Sequence, residues 1–132
     1  MILFNPKTFE PKHLDDATAD IMRKTIAFFE GKGIAKLKED DRNRTWYEDF
    51  LDAQKEMGAF ATLLTPQAYG EGAARWDTWR ICHYNEVLGF YGLHYWYTWQ
   101  VSILGLGPIW MTKNEALKER AAQYLRDGEV FA

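Results

Sequence analysis

Residues 87–111 read VLGFYGLHYWYTWQVSILGLGPIWM, twenty-five positions without Asp, Glu, Lys or Arg. A run of that length can cross a bilayer. Its composition argues otherwise. It holds Gly89, Gly92, Gly105 and Gly107 together with His94, Gln100, Ser102 and Pro108, and its aromatic residues sit mid-run rather than at two interfaces. The remaining reading is a core helix from Leu93 to Leu106, closed by Gly107-Pro108. At helical spacing Leu93, Trp96, Tyr97, Gln100, Val101 and Leu104 form one stripe. His94, Thr98, Ser102 and Gly105 form a second, smaller and more polar face. Gln100 is the odd member of its stripe, because a buried amide without partners costs about 1–3 kcal/mol. It either meets a partner in the fold or lines a cavity, and pattern alone favours core packing.

On the C-terminal side, Thr112-Lys113-Asn114-Glu115 has the Thr-x-x-Glu form of a capping box. It predicts a helix to Asp127 with Gly128 as its stop. Glu129-Val130-Phe131-Ala132 then reads as the first residues of a strand, which would need a pairing partner elsewhere, or as a frayed end. On the N-terminal side a helix is expected from Asp77 to Leu88, with Trp79, Ile81, Tyr84 and Leu88 among its apolar positions. Before it, a short apolar run over 59–65 is turned by Pro66 and Tyr69-Gly70. A second capping box, Thr45-Trp46-Tyr47-Glu48, is expected to open a helix carrying Phe50, Leu51, Gln54 and Met57 that stops near Gly58. Further upstream, Ile21, Met22, Ile26, Phe28 and Phe29 mark a helix over about 15–32, with Asp15 and Asp16 at its start and Gly31 or Gly33 at its end. The charged stretch 36–44 is a solvated connection or an extension of that helix. Residues 1–14, with Pro6 and Pro11, read as an extended lead-in.

No linker or repeat divides the 132 residues, and 15.4 kDa is one core's worth of chain. The expected fold is a single all-α domain over residues 1–132, an orthogonal or up-down bundle of about five helices. A net charge of −3 excludes a polybasic nucleic-acid binder and weakens any case for an anionic membrane surface. The one cysteine, Cys82, makes no internal disulfide and reads as a small core filler. That usage fits a reducing compartment, and Met1 to Lys7 lacks a secretory pattern, so a cytoplasmic location is expected.

Candidate chemistry is sparse. His83 and Glu86 stand three apart on a predicted helix, but two ligands fall short of the three or four a transition metal takes, and an exposed polar edge is the simpler reading. Ser102 with His94 lacks the Gly-x-Ser-x-Gly elbow of a hydrolase nucleophile. Gly70-Glu71-Gly72 is too short for a phosphate cradle. No catalytic residue and no metal ligand emerges.

Three blocks then become recognisable together. Pro66-Gln67-Ala68-Tyr69-Gly70 resembles a Pro-x-x-Tyr-Gly loop, and Asn85-Glu86-Val87-Leu88-Gly89 resembles a Glu-x-Leu-Gly helix end. Gly105-Leu106-Gly107-Pro108-Ile109, followed by Asn114 to Lys118 and Tyr124 to Glu129, is similar to a Gly-x-x-Pro-Ile turn, a Glu-x-x-Lys helix start, then Tyr-Leu and Gly-Glu. In this order they resemble the amino-terminal helical domain of the acyl-CoA dehydrogenases, over about 66–132. The loop departs from that family in reading Tyr69-Gly70-Glu71-Gly72 where the family has Tyr-Gly-Gly.

The resemblance implies an enzyme that oxidises an acyl-CoA substrate to trans-2-enoyl-CoA, as in fatty-acid β-oxidation. A base takes the α-proton while the β-hydrogen leaves as hydride to FAD. It implies that the flavin contacts lie in a following β-domain and the base in a later helical domain, so this stretch alone is inactive and holds no flavin. It further implies an acceptor like electron-transfer flavoprotein and, for the intact enzyme, a homo-oligomer, dimer or tetramer. The family lodges the acyl tail between helices, and the positions carried over as lining that slot are Tyr97, Gln100, Val101 and Leu104. The competing expectation is a self-contained helical module that grips a partner helix or a lipid tail with its aromatic residues.

Overall fold

The computed structural model describes residues 4–129, and these fold as an all-α bundle of six helices with no strand among them. The helices are α1 (Asp16–Asn43), α2 (Glu48–Glu56), α3 (Ala59–Leu63), α4 (Thr78–Tyr91), α5 (Leu93–Met111) and α6 (Glu115–Arg126). A short 3-10 turn over Pro6–Thr8 precedes them. The strand start expected at 129–132 falls, beyond Glu129, outside the described residues.

Helix α1 begins as the sequence suggests: the Asp15 carboxylate accepts from the Thr18 backbone N–H at 3.0 Å. It does not stop at the glycines. Gly33 adopts φ 77°, ψ 151° and kinks the chain, after which helix resumes through the charged stretch to Asn43. Resumption is held by Lys32, whose ammonium lies 2.7 Å from Asp40 and 2.6 Å from Asp49. Burial opposes its charge, yet the hydrogen bonds to Asp40 and Asp49 outweigh that and hold its pKa above the ordinary lysine value.

The longer α1 displaces the first expected cap. Arg44 closes the helix in the left-handed conformation, and the Thr45 N–H is spent on the Asp40 carbonyl at 2.9 Å. Helix α2 therefore opens after Tyr47 with no side-chain cap, not with a Thr45–Glu48 box. The second box is displaced likewise. Helix α5 runs through Gly107-Pro108 to Met111, which makes Thr112 its C-cap and leaves Asn114 to cap α6, accepting from Leu117 N–H at 3.1 Å. Pro108 is tolerated because its missing donor would have served Leu104, a residue 62% exposed. The extra turn is anchored by Trp110, whose indole N–H donates to the Leu64 carbonyl at 3.0 Å. Helix α6 stops at Gly128 (φ 79°), where Gly128 N–H meets Leu125 O and Glu129 N–H meets Tyr124 O.

The core is aromatic. Phe29 lies flat against Tyr91 (4.5 Å, 16°) and beside Phe50 (5.0 Å), while Trp99 takes Tyr84 edge-on at 4.6 Å and Phe60 at 5.3 Å. Helices α4 and α5 form a hairpin across Gly92, in which the Trp96 indole N–H donates to Asn85 Oδ1 at 3.2 Å. Arg80 on α4, fully buried, donates to Thr18 and to the Thr62 and Arg75 carbonyls, so one side chain ties α4 to the start of α1 and the end of α3. Cys82 is exposed rather than a core filler, because α4 turns Ile81, Tyr84 and Leu88 inward. No helix of the described residues is long and apolar enough to cross a membrane.

A candidate site on the outer face of helix α5

Helix α5 is apolar or aromatic nearly all round, so its burial is a contest between faces. The winning face is Tyr95, Thr98, Trp99, Ser102 and Leu106. This includes Thr98 and Ser102 of the polar face, while His94 is half-buried and Gly105 exposed, and it overturns the expectation that the Leu93–Leu104 stripe packs in the core. The reason is local. Thr98 Oγ1 donates to the Tyr95 carbonyl at 2.9 Å and Ser102 Oγ to the Thr98 carbonyl at 3.3 Å. Both hydroxyls are satisfied within their own helix and cost little to bury, while their small size lets Trp99 and Tyr95 settle into the centre.

Apart from Trp96, which packs against the core, the stripe is consequently turned outward. Leu93 is 72% exposed, Tyr97 60%, Leu104 62% and Met111 86%. Gln100 and Val101 are half-buried between them, and Pro108 is exposed. Tyr97, Gln100, Val101 and Leu104, the four positions carried over as slot-lining, thus share one face of one helix. They line an open surface there. The helix carries no Asp, Glu, Lys or Arg from end to end, so nothing on it competes electrostatically with a hydrocarbon ligand.

Two of the three motif blocks also meet in space. Tyr69 stacks on Trp110 (5.9 Å, 15°), donates its hydroxyl to the Glu115 carboxylate, and lies under the Lys118 ammonium at 5.5 Å. Arg126 donates to the Tyr69 carbonyl at 2.9 Å. The Tyr69 hydroxyl, with help from Lys118, holds the Glu115 carboxyl below its ordinary pKa. The Pro66–Gly70 loop, the end of α5 and both ends of α6 are therefore joined around one phenol ring. This is a structural junction, in which Tyr69, Glu115, Lys118 and Arg126 pair with one another or with neighbouring backbone.

The other candidates resolve as follows. His83 Nδ1 stands 4.0 Å from Glu86 Oε2, and its ring meets Trp79 edge-on at 4.5 Å. No group of three or more His, Cys, Asp or Glu among the described residues is placed to hold a metal ion. Ser102 is fully buried with its hydroxyl committed to a carbonyl, so it is no nucleophile. One feature was missed from the sequence: a groove of about 740 Å³ between the α1 kink and the α4–α5 hairpin, floored by Phe29, Leu37, Phe90 and Tyr91. It exists because α1 continues past Gly33 and carries Ile34 and Leu37 alongside. Its only sequence signal was a glycine read as a helix end. No family model, no curated protein and no solved structure matches the chain.

Proposed function

We propose that this chain is the amino-terminal helical domain of an FAD-dependent acyl-CoA dehydrogenase, supplying one wall of the slot for the acyl tail. The observation that carries the reading is the uncovered, uncharged face of α5, with Tyr97, Gln100, Val101 and Leu104 along it. The meeting of two of the three resembling blocks at Tyr69 supports it, since residues scattered over about 60 positions serve one junction.

The resemblance assigns the flavin contacts to a following β-domain. Among the described helices, α4 and α6 start with their own side chains as caps, Asp77 on Trp79 N–H and Asn114 on Leu117 N–H. Bound elsewhere in such an enzyme, the flavin supplies the hydride acceptor. The part of this chain is apolar contact and water exclusion along α5, with the Tyr97 hydroxyl and the Gln100 amide as its polar marks. An acyl chain laid there removes hydrocarbon from water at about 0.8 kcal/mol per CH₂ fully covered.

The test is the coding sequence downstream of Ala132. The reading expects a β-domain with a flavin-contacting strand, then a helical domain with an Asp or Glu base. The extended protein, loaded with FAD, should form trans-2-enoyl-CoA, and Val101→Trp should raise KM for long acyl chains more than for short ones. A downstream frame lacking both elements would sink the reading. The competing reading, a self-contained lipid-tail-binding module, draws on the groove at Phe29, Leu37, Phe90 and Tyr91. It expects a fluorescent fatty acid to bind the 132-residue chain and Phe90→Asp to abolish that binding.

A further inference from the structure

The groove beside the α1 kink has an apolar floor and a charged rim. Phe29 and Leu37 are buried in the floor, and Phe90 and Tyr91 close its α4 side. Its α1 lining runs from Phe29 to Asp41, about 18 Å at 1.5 Å per residue, a length suited to a chain. Phe4, buried against Phe9 and Phe90, pins the lead-in so that Asn5, Pro6 and Lys7 form a further wall. From this groove and the charges around it we propose a binding site for a linear alkyl carboxylate. The hydrocarbon lies on the floor, and the carboxylate meets Lys7 and Lys38 at the rim. The inference rests on the lipid-tail reading of the groove and adds the head group.

Charge selects that head. The charged side chains lining the groove are Lys7, Glu30, Lys38 and Asp41. Glu30 is already engaged, accepting the Tyr91 hydroxyl proton at 2.8 Å. Lys7 and Lys38 are exposed, and among the described residues neither ammonium has a hydrogen-bond or ion-pair partner. The Asp41 carboxylate is unpaired as well. It also lines the adjoining recess, where Arg44, exposed and equally unpaired, offers a cation one helical turn away. Three unpaired cations against one unpaired carboxylate make this rim positive, on a chain whose net charge is −3. Lysine suits the position, because its stem covers apolar surface while its ammonium stays in water. A cationic head would meet Lys7 and Lys38 as like charges, and an uncharged head would leave both unused.

The experiment titrates decanoate, decanol and decyltrimethylammonium, each below its micelle concentration, into the 132-residue chain by calorimetry. Decanoate should bind tightest and decyltrimethylammonium weakest, and this comparison needs no variant. Each methylene removed from decanoate should weaken binding about fourfold. Reversing the rim with Lys7→Glu and Lys38→Glu together should weaken decanoate about tenfold and leave decanol unmoved. Asp41→Asn should strengthen decanoate by about two- to threefold. Lys113→Glu, at an exposed lysine between α5 and α6 and outside the groove, should change nothing. Decanol binding as tightly as decanoate, decyltrimethylammonium binding more tightly, or decanoate unmoved by the paired lysine reversals would overturn the carboxylate assignment while sparing the lipid-tail reading. Absence of binding by all three, or binding that Phe90→Asp does not weaken, would overturn both.

Discussion

The Gln54 side-chain amide donates to the Tyr84 hydroxyl oxygen at 3.2 Å, joining α2 to α4 where neither residue has exposed surface. Thr25 completes the set. Its hydroxyl lies 2.8 Å from the Ile21 carbonyl and 3.3 Å from the Tyr84 oxygen, donating to both as a shared proton. Burial pushes the Tyr84 pKa up to about 12, only partly offset by those bonds. A raised folded-state pKa means that this contribution to stability is whole below the free phenol's value near 10 and is lost as pH climbs through 12. Tyr84→Phe should cost about 1–3 kcal/mol at pH 8 by orphaning the Gln54 amide. It should also flatten the fall in stability between pH 10 and 12. Urea melts at pH 8 and pH 11 measure both, and an unchanged alkaline slope would refute the assignment.

Asp15 contributes to the acid limb, with Asp40, Asp77 and Glu115 also held below their ordinary values. Burial acts to raise the Asp15 pKa but is outweighed by the Thr18 N–H and hydroxyl and by Arg80, whose Nε lies 3.3 Å away, so the net shift is downward. A lowered folded-state pKa gives stability that is present above the ordinary carboxylate range and lost as pH falls through the folded value. Asp15→Asn keeps a good helix cap but loses the charge facing a buried guanidinium. It should cost about 1–2 kcal/mol at pH 7 and titrate less between pH 4 and 2, as followed by circular dichroism.

What the sequence disclosed and what it hid have a common cause. Helices with a single apolar face, such as α6, were readable, and so was the Gly128 stop, because periodicity and cap chemistry are local. Both capping boxes were misplaced because helix length is decided by tertiary contacts. Lys32 between Asp40 and Asp49 carries α1 past Gly33, and Trp110 on Leu64 carries α5 past Pro108. The grouping of Tyr97, Gln100, Val101 and Leu104 on one face followed from spacing. Which way that face points did not, since α5 is apolar on several sides and only its neighbours choose between them.

Gly70 has no room for a side chain. A Cβ there would stand 2.3 Å from the Ala74 Cβ, with Thr65 Cγ2 and the Pro66 carbonyl at 3.3 and 3.4 Å. The strain is thus almost entirely a clash between two methyl groups, which makes it separable. Gly70→Ala should destabilise by about 1–3 kcal/mol. Adding Ala74→Gly should recover more than half of that loss despite the cost of a glycine. A double-mutant cycle by thermal melting tests this, and strict additivity of the two losses would show that the loop fails for another reason.

The two faces of α5 make opposite predictions one residue apart. Trp99 has no exposed surface and is wedged between Phe60 and Tyr84, so Trp99→Ala should cost about 3–5 kcal/mol through lost contact and the cavity left behind. Gln100 is half-buried on the outward stripe. A leucine there retains the packing stem and drops an amide that water can serve, so Gln100→Leu should change monomer stability by no more than about 0.5 kcal/mol. It should also strengthen the apolar stripe, raising the binding of a hydrophobic dye. Chemical denaturation measures the first effect and dye fluorescence the second. A loss above roughly 2 kcal/mol for Gln100→Leu would mean that the amide has a buried partner and that the face is part of the core after all.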